Sequence, residues 1–325
     1  MKEEIVKIPR VKIGNIPTPI ESLSRLAAKL GVKELLIKRD DLTGLAFGGN
    51  KVRKLEFFFA EALAQGAKTI VTAGAVQSNH CRQTAAAATK FGLDCKLVLT
   101  GQPPQRDSAN VLLDKLFGAE LIWCDKSERE SKLQEVFQKT AEQGKYPYLI
   151  PYGGSNSTGV LGYTLAIFEL LDQGCKPDVI VFPSSSGGSQ SGLILGTLMA
   201  EGDWDILGIS IDAKESNLNF KISQLIDETI QKYQFHVDRD LKKIHIVDSY
   251  IGQGYGIPTE EDIQAIRIFA REEGILLDPV YTGRAAAGMI DLIQKKTISP
   301  TATVLFWHTG GTPALFAEQY ESLIV

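Results

Sequence analysis

Two short stretches carry residue types and spacings that could do chemistry. The first is "DVIVFPSSSGGSQSGLILGTLMA": a strand-like run, then Ser184, Ser185, Ser186, Gly187, Gly188 and Ser189, then a helix-like run. Backbone N–H groups at a helix start, joined by hydroxyls, make an anion cradle, and glycines let the anion approach the main chain. The loop carries no positive charge, so it suits one phosphate held by neutral donors rather than a triphosphate that needs lysine and magnesium. The second is "TGLAFGGNKVRKLEFFF", with Lys51 directly after Gly48, Gly49 and Asn50. Paired glycines supply positive φ or close approach, and Asn50 can cap the helix that follows. Lys51 then stands in a first turn, where the macrodipole disfavours a cation. A solvated lysine after a glycine turn is the plainer reading of GGNK taken alone.

Further loops share this strand–turn–helix form. "TAGAVQSNHCRQTAAAA" places Ser78 or Asn79 to cap an alanine-rich helix whose amides would welcome a carboxylate. "DPVYTGRAAAG" and "FWHTGGTPALF" put Thr282 and Thr309 at the mouths of two more turns. The serine-glycine loops spell neither GxGxxG nor GxSxG, and GNKV replaces the GK[ST] of a P-loop. Cys81, Cys95, Cys124 and Cys175 lack CxxC spacing and read as reduced packing thiols, Cys81 included. His80, His236, His245 and His308 form no paired ligand spacing, so no metal site is expected.

The elements that must position these loops alternate. Apolar runs such as "TIVTAG", "CKLVLTG", "DVIVFP", "ILGISID" and "TVLFWH" are separated by amphipathic helix-length segments, among them Leu55 to Gln65, Asn79 to Phe91 and Thr259 to Glu273. That alternation predicts an α/β protein with mostly parallel sheets whose ligand sites lie at the carboxyl ends of the strands. Four strand–helix pairs between about 53 and 161 suggest a smaller α/β lobe inserted into a larger one formed by 1–52 and 162–325.

With 325 residues the chain can bury a large core, and 44% apolar with 23% charged residues is ordinary globular composition. A net charge of −4, with no basic stretch longer than "KVRK", argues against nucleic acid or an anionic membrane as partner and for a small molecule. The N-terminal "MKEEIVKIPRVKIGNIPTP" has no signal-like apolar core, and no run reaches the ~18 apolar residues of a membrane span. The expected location is the cytoplasm.

Taken together, "TPIESLSRLA", "IKRDDLTG", "GGNKVRKLE", "GAVQSNHCRQTAAAA", "LLDKLFGAEL", "GYGIPT", "EGILLDPVYTGRAAAGM" and "HTGGTPALF" resemble, in order and over nearly the whole chain, the fold-type II pyridoxal-phosphate enzymes. Within them the resemblance is to the branch of 1-aminocyclopropane-1-carboxylate deaminases and D-cysteine desulfhydrases. It implies a two-lobed, tryptophan synthase β-like fold of open, mostly parallel twisted sheets flanked by helices, and a homodimer. It makes Lys51 the residue that carries pyridoxal 5'-phosphate, a role that requires the neutral amine. Ser185, Ser186, Gly187, Gly188 and Ser189 become the phosphate cradle, and Asn79 the partner of the cofactor's phenolic oxygen. Tyr281 would stack on the pyridine ring, Tyr255 would face the substrate, and Ser78 would hold its carboxylate, with Gln77 and Asn79 beside it.

The branch turns on two positions. The deaminases carry glutamate after the stacking tyrosine and leucine after the histidine of the final glycine loop; here Thr282 and Thr309 occupy them, as in the desulfhydrase pattern. Hydroxyls near the pyridine nitrogen leave it neutral, a weaker electron sink that still suffices to expel hydrosulfide. The expected reaction is α,β-elimination of D-cysteine to pyruvate, ammonia and hydrogen sulfide, with Lys51 as base and Tyr255 or Tyr281 as alternative or relay. Alternatives within the class are the deaminase and a cysteate sulfo-lyase; outside it stands a phosphate-ligand binding protein without catalysis.

Overall fold

The computed structural model describes residues 2–238 and 244–320. The strands are β1 (Ile20–Ser22), β2 (Glu34–Arg39), β3 (Thr69–Ala75), β4 (Asp94–Thr100), β5 (Glu120–Cys124), β6 (Pro147–Leu149), β7 (Val179–Ser184), β8 (Asp205–Ser210), β9 (His245–Val247) and β10 (Thr303–His308). The helices are α1 (Lys2–Val6), α2 (Ser24–Leu30), α3 (Lys51–Ala64), α4 (Asn79–Lys90), α5 (Ala109–Leu116), α6 (Arg129–Glu142), α7 (Ser157–Asp172), α8 (Gly188–Met199), α9 (Glu215–Tyr233), α10 (Glu260–Glu273) and α11 (Thr282–Gln294). One sheet has the order β1-β2-β10-β7-β8-β9 and a second the order β5-β4-β3-β6. Every pairing is parallel except β1 with β2.

Parallel sheets need both faces covered, and the strand sequences show how. In β10, Leu305 and Trp307 join the core under α7, α8 and α9, while Val304 and Phe306 join the opposite core with α2, α10 and α11. The period of two sends alternate side chains to opposite faces, so an unbroken apolar run serves two cores. The smaller sheet repeats the scheme: Ile70, Leu97 and Leu99 face α3 and α4, and Val71, Ala73 and Val98 face α6. All four of its strands fall within residues 69–149.

Helix α3 ties the two cores together, with Phe57 in the larger and Leu55, Phe58 and Phe59 in the smaller. It packs directly on α7, where a Cβ on Gly162 would come within 2.6 Å of the Arg53 backbone. Beneath its first turn lies a buried charge network. Arg53 donates to both oxygens of Asp40 at 2.8 Å and to Glu169 on α7 at 2.7 Å. Asp40 also accepts from Thr18, from the Tyr163 hydroxyl on α7 and from the Trp307 indole on β10. These charge-assisted bonds lock the start of α3 against β10 and α7.

Candidate functional site

The carboxyl ends of β3, β7 and β10 open onto one cleft, the expected place for a ligand in parallel α/β folds. The starts of α3, α4 and α8 converge on it. Lys51, Ser78, Asn79, Ser185, Ser186, Gly187, Ser189, Tyr255, Tyr281 and Thr309 all line it, joined by His80, Tyr152 and Ser184.

The approach of Lys51 depends on glycine. Gly49 has φ 127°, and a Cβ there would meet Gln83 Nε2 at 2.6 Å and the Thr309 carbonyl at 3.2 Å. The amide of Asn50 donates to that carbonyl at 2.9 Å, and the amide of Val52 donates to Gln83 Oε1 at 3.0 Å. Asn50 itself makes no side-chain cap on α3, contrary to the sequence expectation; its Nδ2 donates to Ser189 Oγ at 3.3 Å instead. With its amides satisfied from α4 and the β10 loop, the helix start does not need that cap. Burial lowers the Lys51 amine to about 8, which supplies the neutral nucleophile near physiological pH.

Opposite Lys51, α8 begins at Gly187, whose φ is 84° and which offers no side chain to cap the first turn. The buried Ser184 hydroxyl has no hydrogen-bond partner among the described residues, an expensive arrangement unless a ligand atom completes it. Ser186 and Ser155 share a hydrogen bond of 2.7 Å, whereas the Ser185 hydroxyl donates to Asp212 at 3.0 Å. Gly188 lies behind the lining, where a Cβ would meet Ser155 Oγ at 2.6 Å and Lys54 Nζ at 3.0 Å.

The serine-glycine loop has no cation of its own, but Lys54 of α3 approaches it from behind the cleft lining. Three residues after Lys51, it lies on the same side of α3, is fully buried, and donates only to the Gly153 carbonyl at 3.3 Å. Burial, then Lys51 and Lys221, hold its amine well below the ordinary lysine range. An anion on the cradle would reverse that. The i,i+3 spacing in "NKVRK" was the available signal.

Ser78 caps α4, its Oγ accepting from the Cys81 amide at 3.2 Å. Next to it, the Thr72 hydroxyl donates to the Ile150 carbonyl at 2.7 Å, so His80 Nε2 at 2.9 Å carries the proton of their shared bond. His80 Nδ1 is then a buried acceptor without a partner among the described residues. Burial and the neighbouring Lys51 and Lys54 hold this imidazole well below its ordinary pKa.

Two of the expected residues are turned elsewhere. Gln77 spends its side chain on α5, donating to Ser108 O at 3.3 Å and accepting from Asn110 N at 2.8 Å. Thr282 is fully buried; its hydroxyl donates to Asp278 Oδ1 and accepts from the Asp278 amide, both at 2.7 Å. Neither lines the cleft. In the turn "DPVYTG" a hydroxyl at the first helical position reaches back to the turn more readily than forward to a ligand. Asp278 also accepts from the Val280 and Tyr281 amides at 3.0 Å, so it shapes the turn that presents Tyr281. Arg284 does the same for Tyr255, donating to the carbonyls of Ile211, Gly254 and Ile257. Sequence reasoning missed both: Asp278 bonds the backbone amides of its own turn, and Arg284 bonds backbone carbonyls 27 to 73 residues away along the chain.

Cys81, Cys95 and Cys124 are buried and Cys175 half-buried, all unpaired. Among the described residues no cluster of three metal-ligating side chains occurs, and no helix is long and apolar enough to cross a membrane.

The donor set fits a phosphate monoester that also carries an aldehyde. A helix start and an orphaned serine hydroxyl would meet the anion, with a buried lysine behind them, and Lys51, near neutrality, would meet the carbonyl. The family described as pyridoxal-phosphate dependent enzyme matches this chain over residues 11–310. D-cysteine desulfhydrase of Yersinia pestis (strain Pestoides F) is 41% identical, covering 98% of this chain and 98% of that protein. That of Klebsiella pneumoniae (strain 342) is also 41% identical, over 97% and 98%. The crystal structure of an ACC deaminase homologue superposes with a TM-score of 0.91 at 38% identity, covering 99% of this chain and 97% of that one. Maize serine racemase, at 22% identity and a TM-score of 0.66 over 91% and 88%, shares the fold.

Proposed function

The chain belongs to the pyridoxal-phosphate dependent enzyme family, and on that premise we propose that it converts D-cysteine and water to pyruvate, ammonia and hydrogen sulfide. The observation that carries this reading is Lys51, a buried amine at about 8 facing an anion cradle across one cleft, in a chain whose full-length relatives bear the desulfhydrase name.

When bound, pyridoxal phosphate is an electron sink that stabilises negative charge at an amino acid's α-carbon. Lys51 would hold its aldehyde end, and the start of α8 with Ser184, Ser186, Ser189 and Lys54 would hold its phosphate. Ser78 and the first amides of α4 would seat the substrate carboxylate. Lys51, once free, takes the proton from the α-carbon, and the C–S bond electrons leave with hydrosulfide. General acid–base help of this kind is worth ~10²–10⁴ in rate. Tyr255 and Tyr281 are a phenol pair at 2.7 Å, both held well above the ordinary tyrosine range by burial. The pair therefore offers one neutral donor to the leaving sulfur or the carboxylate, and the base is Lys51. Thr309 lines the cleft, and its hydroxyl, were it beside the ring nitrogen, would leave that nitrogen neutral.

A second reading, opening of 1-aminocyclopropane-1-carboxylate, is favoured by the 38% identical deaminase homologue. The test is a screen of purified holoenzyme against D-cysteine, L-cysteine, cysteate and the cyclopropane amino acid. D-cysteine is expected to give the fastest pyruvate release; faster ketobutyrate release from the cyclopropane would replace the reading. We also assign a smaller lobe to residues 53–161, supported by the separate sheet of β3 to β6, and a cytoplasmic homodimer, supported by the family resemblance.

A further inference from the structure

Asn79 lies at the first position of α4 with its amide at the cleft wall. Its Oδ1 is not available to a ligand. Arg82 Nη1 and Asn110 Nδ2 both donate to it at 3.0 Å. Arg82 Nη1 gives its other proton to Asn110 Oδ1 at 2.8 Å, and Arg82 Nη2 donates to the carbonyl of Gly48, in the loop that leads to Lys51, at 2.8 Å. Asn110 Nδ2 also donates to the Gln77 carbonyl at 2.8 Å, while the Asn110 amide takes Gln77 Oε1. The side-chain amide of Asn110 can adopt one orientation only, because its oxygen faces a guanidinium and its nitrogen faces two acceptors. The same logic fixes Asn79: two donors on Oδ1 leave the NH2 group facing the cleft.

We infer that Arg82 and Asn110 are positioning residues that make Asn79 a one-way hydrogen-bond donor, so that the cofactor oxygen it meets is held as an acceptor, the phenolate, rather than as a phenol. This rests on the reading of the cleft as a pyridoxal-phosphate site with Asn79 beside the phenolic oxygen. A flipped amide would present a carbonyl to that oxygen and favour the protonated phenol, which is the weaker electron sink. Arg82 is suited to the task because it is fully buried on α4 and reaches the Lys51 loop, so the donor and the amine-bearing helix share one anchor.

The test uses full-length holoenzyme and three variants, Asn110→Ala, Arg82→Met and Arg82→Lys. Absorbance reports the phenolate form as the yellow band and the protonated form as a near-ultraviolet band; cofactor affinity is measured on the apo-protein by titration. Wild type is expected to be yellow. Asn110→Ala and Arg82→Met should move bound cofactor toward the near-ultraviolet form and weaken affinity about tenfold, the equivalent of one lost charge-assisted hydrogen bond. Arg82→Lys, which keeps one donor, should fall between. Should Arg82→Met fail to fold, Asn110→Ala decides, since it leaves the cation and its Gly48 bond in place. Unchanged spectra and affinity with only a lower unfolding midpoint would overturn the inference. A colourless wild type that gains no band with added cofactor would instead overturn the reading of the cleft.

Discussion

The hydroxyls of Tyr255 and Tyr281 stand 2.7 Å apart, with ring centroids at 5.9 Å and planes at 76°. One phenol must donate to the other, which leaves a single proton for the cleft. Because burial holds both well above the usual tyrosine range, neither is ionised at neutral pH. Tyr255→Phe and Tyr281→Phe are each expected to keep the yellow cofactor and to lower kcat by about 10²-fold. The kcat profile of the wild type should show no inflection that the Phe variants remove below pH 10; steady-state kinetics across pH checks this.

Lys51→Ala should abolish turnover and the covalent cofactor link while leaving the fold intact. Borohydride reduction and peptide mapping should label Lys51 and neither Lys54 nor Lys38. Because the folded amine lies at about 8, cofactor attachment to apo-protein should accelerate with pH up to about 8 and then level off. An ordinary exposed lysine would keep accelerating toward about 10.

Ser78 has two duties, capping α4 and facing the cleft. Ser78→Ala should cost about 1 kcal/mol of stability as a lost cap and raise KM far more than it weakens cofactor binding. Denaturant unfolding and kinetics on the reconstituted variant separate the two effects.

Asp40 anchors Arg53 and so the start of α3. It is fully buried, yet Arg53 and the Tyr163 hydroxyl hold its carboxyl at about 2. A carboxyl depressed on folding contributes stability that is present above its unfolded value near 4 and is lost as pH falls toward 2, here about 2 kcal/mol. Asp40→Asn leaves a buried guanidinium short of its partner and should cost about 3–5 kcal/mol. Its acid unfolding should lose the wild type's dependence on pH between 4 and 2.

Thr282 and Thr309 separate by the same kind of measurement. Thr282→Val removes both hydrogen bonds to Asp278 and should cost about 1–3 kcal/mol of stability. Thr309→Leu should leave stability unchanged, lower D-cysteine turnover, and shift the pH response of the cofactor absorbance. Placing glutamate at 282 brings a carboxylate against Asp278 unless it swings into the cleft. Ring opening by Thr282→Glu with Thr309→Leu is therefore expected only where the cofactor spectrum also changes.

The sequence by itself determined the alternation of elements, because an apolar strand followed by an amphipathic helix is a local pattern with its own period. It also marked the glycines before Lys51 and the serine-glycine loop after β7, since positive φ and helix starts leave residue-type signatures. Segments at Asn79 to Phe91 and Thr259 to Glu273 emerge as α4 and α10 to within a residue. Tertiary structure alone decided which polar groups face the cleft. Asn50 bonds Ser189 rather than capping, Gln77 serves α5, and Thr282 turns back to Asp278, while Lys54 lies behind the cradle from α3. The direction of a side chain depends on which partner the packed fold brings within about 3 Å. For Arg82, Asn110 and Arg284 that partner lies on another element or is a backbone carbonyl, and for Asp278 it is a backbone amide of its own turn. A hydrogen bond to a backbone atom makes no demand on residue type at the other end, so it leaves no trace in the sequence.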